Sequence, residues 1–337
     1  MNTLLITAAN LEALLTRLQD MGQQVYAPQK RKQQVDFEPL RNIRDVTHEY
    51  VQTTRSAKAV LFPPVEELLR YRRNGEDLQV QDRDLASLPK TTVFGVRPCD
   101  AAAISAITAV FTWDYQDALF KKRLENTTII TVACREADSH CFCTCTGTGP
   151  DDTRGSDVVL TRLNNGDYLA EIISEKGRAL QEQTSALWGT APAVNKSDLL
   201  AKVEQRFEMI ELTKKLAGSF DHPVWNDMAL ACLGCGACAY VCPVCSCFDI
   251  QDEGTQNRGQ RLRCWDACGF NLFTLHTSGH NPRHVQKERW RQRLLHKFSY
   301  MPDRLNVSGC VGCGRCSRAC PADMNILEQI GQLVSTL

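Results

Sequence analysis

The chain lacks net charge: 39 Lys and Arg are balanced by 39 Asp and Glu. Bulk electrostatics therefore give no reason to expect nucleic acid or an anionic membrane as a partner. It also lacks any unbroken apolar run near the roughly 18 residues that cross a bilayer, so no membrane span is expected. The opening MNTLLITAANLEALLTRLQDMG has no basic segment ahead of its apolar residues and soon reads as an amphipathic helix, not as an export signal. Aromatic residues are sparse at 7%, but hydrophobic residues reach 43%, enough for an ordinary core and too many for a disordered chain. The expectation is a cytoplasmic protein of two or three domains in 337 residues.

Cysteine is missing from 1–98 and again from 146–231, which makes its abundance elsewhere the dominant signal. The chain holds 17 cysteines, five within 99–145 and twelve from Cys232 to Cys320. In a small secreted protein such a count suggests disulfides; in a larger chain without an export signal, clustered thiols are better read as metal ligands.

Local pattern places these cysteines on a scaffold. Leu11, Leu14, Leu15 and Leu18 recur at helical spacing behind Thr7 and Asn10, either of which could cap the helix. Ala59-Val60-Leu61-Phe62 before Pro63-Pro64 reads as a strand that ends abruptly. The runs 91–96 and 127–132 read as strands flanking a helix near 100–123, a pattern that favours parallel pairing. Asn164-Asn165-Gly166-Asp167 is a turn signal of hairpin type, and 197–216 reads as helical. The fold expected is α+β and multidomain: an α/β domain over 1–220 with a cluster-binding segment at 94–150, then a mainly helical dicluster ferredoxin-type domain over 221–337.

Cys232-Leu-Gly-Cys235-Gly-Ala-Cys238-Ala-Tyr-Val-Cys242-Pro243 fits C-x2-C-x2-C-x3-C-P, and Cys310-Val-Gly-Cys313-Gly-Arg-Cys316-Ser-Arg-Ala-Cys320-Pro321 fits it again. Three cysteines in a tight loop aim at one cubane, and the fourth ligates the other cluster of the pair. One [4Fe–4S] centre is therefore expected on Cys232, Cys235, Cys238 and Cys320, the second on Cys310, Cys313, Cys316 and Cys242. Zinc sites use paired C-x2-C knuckles instead. The 67 residues between the motifs (243–309) exceed what a compact ferredoxin needs.

Nine cysteines remain. Cys99 and Cys134 each follow a strand, and ligands gather at the carboxyl ends of strands in open α/β sheets. With Cys141 and Cys143 they form a candidate third quartet, the alternative being small buried thiols. Cys145 is a substitute ligand or a bystander. Cys245, Cys247, Cys264 and Cys268 form a fourth candidate group, or pack against the cluster already there. His280 is a candidate non-cysteine ligand among otherwise ordinary histidines. Residues 258–304 carry ten Lys and Arg against three acidic residues, either a solvated face or positive charge set beside anionic clusters.

Gly95-Val-Arg-Pro-Cys99-Asp100, Cys141-Phe-Cys143 with Gly147-Thr-Gly-Pro150, Cys242-Pro-Val-Cys245-Ser-Cys247-Phe-Asp249, Trp265-Asp-Ala-Cys268, Gly279-His-Asn-Pro-Arg283 and His296-Lys-Phe-Ser-Tyr300 resemble the iron–sulfur beta subunit of soluble [NiFe] hydrogenases, the sulfhydrogenases. They are also similar to the corresponding subunit of anaerobic sulfite reductase. The resemblance implies an electron-transfer subunit between a flavin-containing, NAD(P)-binding subunit and a catalytic subunit. It does not extend to Cys145 and Cys264, where relatives usually lack cysteine. No G-x-G-x-x-G fingerprint or P-loop is present, so flavin and nicotinamide are expected on a partner. The alternatives are a self-contained reductase of a small substrate, a subunit serving sulfite or formate chemistry, and a zinc-binding adaptor.

Overall fold

The computed structural model describes residues 3–337. The amino-terminal part is built on an eight-stranded mixed sheet. Its strands are β1 (Thr3–Ile6), β2 (Gln24–Arg31), β3 (Gln34–Pro39), β6 (Thr91–Val96), β7 (Thr127–Val132), β8 (Val158–Arg162), β9 (Tyr168–Ile172) and β10 (Gly189–Thr190), with the hairpin β4 (Val65–Asn74) and β5 (Asp77–Asp82) set apart. The order is β10-β1-β9-β8-β7-β6-β2-β3, with β2, β6, β7 and β8 parallel and the flanking pairs antiparallel. Every residue of β6 is buried, as a central parallel strand covered on both faces requires. Thr7 is the residue that caps the first helix, Ala8–Asp20: its side chain accepts from the Asn10 N–H, and Leu11, Leu14, Leu15 and Leu18 are buried. The stretch expected as one helix near 100–123 is two, Pro98–Thr112 and Ala118–Asn126. The turn at 164–167 closes the β8–β9 hairpin, with the Leu163 N–H donating to the Asp167 carbonyl at 2.7 Å.

Two expectations are corrected. Residues 59–62 do not form a strand: Lys58–Leu61 is a single helical turn, and Phe62, forced out of helical conformation by Pro63, is a bend that ends it. Burial of Leu61 and Phe62 against Phe111 and Phe120 outweighs the weak strand preference of Val60. Residues 197–216 are helical only over Met209–Leu216, behind a short 3-10 turn at Lys196–Leu199. The segment between runs alongside the Cys134–Cys145 loop and donates to it: the Ala201 N–H to the Cys134 carbonyl at 2.8 Å, and the Arg206 N–H to Cys145 Sγ at 3.1 Å.

A second, four-stranded antiparallel sheet joins the two halves. The insert after the first cysteine motif opens with β11 (Phe248–Gly254) and β12 (Arg258–Trp265), and the sheet runs β11-β12-β4-β5. The pairing of β12 with β4 carries Arg263 onto Glu66, where Arg123 also binds at 2.7 Å; Asp117 takes the other arm of Arg263. Arg263 and Glu66 are both buried, so their charges depend on each other for compensation. The rest of the carboxyl-terminal half is helical. Met209–Leu216, Val224–Ala229, Gln286–Leu295 and Ile326–Thr336 enclose a core containing Leu212, Trp225, Met228, Trp290, Phe298 and Ile330.

Candidate metal centre

The first motif forms a loop ending in the short helix Ala237–Tyr240. Cys232, Cys235 and Cys238 line a cavity of about 40 Å³ together with Cys316 and Cys320 of the second motif and Cys268 of the insert. That void exceeds the roughly 10–15 Å³ that one water occupies, whereas four thiolates drawn onto one zinc ion leave none. Among the described residues no three His, Cys, Asp or Glu side chains converge as a single-ion site. Cys242 leaves the first loop altogether. Its thiol lies within electrostatic reach of Cys310 and Cys313, and Cys310 lies within reach of Cys316. The two motifs thus exchange their fourth cysteines in space.

Cys99, Cys134, Cys141 and Cys143 also come together. Cys99 sits in the first turn of helix Pro98–Thr112, just past β6, and Cys134 two residues past β7. Each lies within electrostatic reach of the other, and Cys141 and Cys143 lie within reach of Cys134. This group is contiguous with the second motif: Cys99, Cys242 and Cys313 belong to one buried cluster with Val244 and Val311. Cys145 points elsewhere, into the core beside Leu212 and Trp225.

Of the remaining group, Cys245 pairs with Cys242, and Cys247 with Cys268. Cys264 is not brought in. It lies on β12 opposite Asp249, and its charged neighbours are Glu253 and Asp249. His280 is exposed and stacks edge-on against His276.

The thiols are surrounded by donors that the cysteine spacing did not indicate. Gln286 Nε2 donates to Cys232 Sγ at 3.0 Å, Lys297 Nζ to Cys242 at 3.3 Å, Gln52 Nε2 to Cys99 at 3.2 Å, and Arg318 to Cys141 at 3.5 Å. Lys297 sits on the π turn His296–Tyr300, and its one trace in the sequence is its place inside that family-like stretch. The basic run 283–293 is divided between two roles. Arg291 lies over the Phe220 ring at 3.5 Å, whereas Arg289 and Arg293 are buried.

Lys58, Arg293 and Lys297 are three buried cations with no carboxylate partner among the described residues. Burial alone would lower the proton affinity of Lys297 and Arg293, but the sulfurs of Cys242 and Cys245 hold Lys297 up, and those of Cys238, Cys245, Cys316 and Cys268 hold Arg293 up. Lys58 is lowered by burial and opposed by Cys245, Cys242 and Cys247. Buried charge is retained where a counter-charge faces it; beside backbone carbonyls and the Trp265 ring over Lys58, the anionic groups that face these cations among the described residues are sulfurs. Burial pushes the metal-free thiols of Cys143 and Cys310 up to about 12, and those of Cys134, Cys238 and Cys313 to about 11. These thiols give up their protons to metal and not to water. Cavity, donors and unpaired cations all fit anionic iron–sulfur clusters.

Arg315, in the second motif, binds Asp100 through both arms at 2.6 Å and donates to the Thr53 carbonyl at 2.8 Å, with the ion pair fully enclosed. It fastens the second cysteine loop to the first turn of the helix carrying Cys99.

Residues 231–324 match the family described as the 4Fe-4S dicluster domain. Over 325 residues, 94% of this chain and 94% of the relative, the sequence is 28% identical to the sulfhydrogenase 2 subunit beta of Pyrococcus furiosus. No solved structure matches it. No helix among the described residues is long and apolar enough to cross a membrane. A dicluster domain set in a chain similar along its length to a sulfhydrogenase beta subunit supports the reading of this chain as an iron–sulfur electron-transfer subunit.

Proposed function

We propose that the chain works in the cytoplasm as a relay, passing single electrons between a flavin- and NAD(P)-binding subunit and a catalytic subunit, foremost a [NiFe] hydrogenase. In this reading Cys232, Cys235, Cys238 and Cys320 hold one [4Fe–4S] cluster, and Cys310, Cys313, Cys316 and Cys242 a second. Cys99, Cys134, Cys141 and Cys143 hold a third. A fourth would draw on Cys245, Cys247 and Cys268 without Cys264. A bound [4Fe–4S] cluster supplies one-electron acceptance and release at a potential set by its surroundings.

The observation that carries this reading is the shared packing of Cys99, Cys242 and Cys313, which makes the second and third candidate ligand sets contiguous. The chain's own residues do the rest. Val244, Val311 and Ala102 exclude water around the second set, and Lys297 places a positive charge on Cys242. Hydrogen bonds and nearby cations of this kind favour the more negative, reduced state.

Anaerobic purification of the intact complex tests the reading. Three clusters predict about twelve irons per chain and four predict about sixteen, with flavin on a separate polypeptide. Flavin on this chain would favour a self-contained reductase, and zinc in place of iron would end the relay reading.

A further inference from the structure

Three parallel strands of the large sheet end along one edge, and each delivers an arginine there. Arg97 follows the last residue of β6, Arg135 lies just beyond β7, and Arg162 is the last residue of β8. With His48 and Tyr50 they line an open cleft of about 580 Å³. That volume is in the range of small-molecule sites, and the carboxyl ends of parallel strands are where open α/β sheets bind ligands.

The positive charge in the cleft is only partly answered. Arg97 is 6% exposed and lies over the Tyr50 ring at 4.0 Å. It donates to the carbonyls of Tyr50, Val132 and Ala133, and its Nε has no partner. Cys134 and Asp100 share its field. Arg135 binds only neutral oxygens, Asn164 Oδ1 at 2.7 Å and the Leu163 carbonyl at 3.4 Å. Arg162 pairs with Glu49 at 3.3 Å, but that carboxylate is 85% exposed and free to yield. Glu136, also on the rim, is exposed and in no ion pair among the described residues. His48 is bonded to the Tyr168 hydroxyl at 3.1 Å, and burial and then Arg162 lower its proton affinity. Guanidinium groups in this arrangement suit planar or tetrahedral oxyanions gripped by paired N–H donors.

We propose that this cleft binds a small anion bearing a phosphate or carboxylate group, beside the helix turn that carries Cys99 and the loop that carries Cys134. The inference does not depend on the relay, because it concerns residues that hold no metal.

Calorimetric titration of the iron-loaded, full-length chain in chloride buffer tests it, with inorganic phosphate and with succinate in separate arms. The expected result is saturable binding of one anion per chain in at least one arm, weakened about tenfold or more in R135Q and in R162Q. Iron content should be unchanged in both variants, and R178Q, which removes an exposed arginine paired with Glu175, should bind as wild type. Saturation by phosphate alone assigns a phosphate ligand, and by succinate alone a carboxylate. Absence of saturation in both arms, or wild-type affinity in the double variant R135Q/R162Q, overturns the proposal.

Discussion

The two cysteine motifs share one spacing and sit in opposite surroundings. The first lies at the surface: Cys235 is exposed, and Leu230 and Leu233 beside it are 83% and 71% exposed. In the second, Cys310 and Cys313 are buried, and the loop is pressed against the segment carrying Cys141 and Cys143. The difference traces to single positions. Where the second motif has Arg315, locked to Asp100, the first has Ala237; where the second has Arg318, bound to Asp138, the first has Tyr240. Identical cysteine spacing thus occurs in one exposed loop and one enclosed loop, which in the proposed relay would be an end and a middle. The cysteine spacing is common to both, and the residues between the cysteines decide how deeply each loop is buried.

The largest break in this contrast should come from the ligands. C313S is expected to lower iron by at least about four atoms per chain and to stop electron flow in the complex. C235S should remove a similar amount while leaving the remaining centres intact. Iron assay and EPR of the two variants distinguish a middle from an end. Next is R315M. It strands Asp100, whose proton affinity burial already raises, and should cost about 3 kcal/mol in denaturant unfolding.

A smaller effect separates two glycines. Gly312 and Gly234 both have positive φ, 63° and 66°, so alanine carries similar backbone strain at each. A Cβ at Gly312 would stand 2.4 Å from the Phe142 backbone, whereas at Gly234 it would meet the flexible end of Gln286 at 3.0 Å. G312A should therefore be less stable than G234A by about 1–3 kcal/mol. Equal unfolding midpoints would erase the distinction between the loops. The smallest expected change in stability is at the exposed end: L233D should alter unfolding by under about 0.5 kcal/mol yet weaken association with a partner subunit, read as loss of co-purification. Wild-type association would remove the first motif from the docking surface.

Much of this was legible in the residues. The paired motifs, the parallel strands 91–96 and 127–132 and the hairpin at 164–167 follow from local pattern, because turn chemistry and strand composition act over a few residues. The convergence of Cys99 and Cys134 was readable from their shared position just past strands. What could not be read were contacts between distant segments. The single helical turn at 58–61 exists because of Phe111 and Phe120, and the donors Gln52, Gln286 and Lys297 reach their sulfurs only in the folded chain. Cys264 drops out of its expected group for the same reason: strand pairing sets it on a hairpin, away from its sequence neighbours.

The small sheet also has a consequence for biosynthesis. Its central strand pair brings together Glu66 and Arg263, 197 positions apart. A ribosome emits Glu66 long before Arg263, so the β4–β5 hairpin must wait with Arg123 as the partner of that acid and with one strand edge unpaired. Truncated nascent chains ending before 258 should thus be the ones that need chaperones.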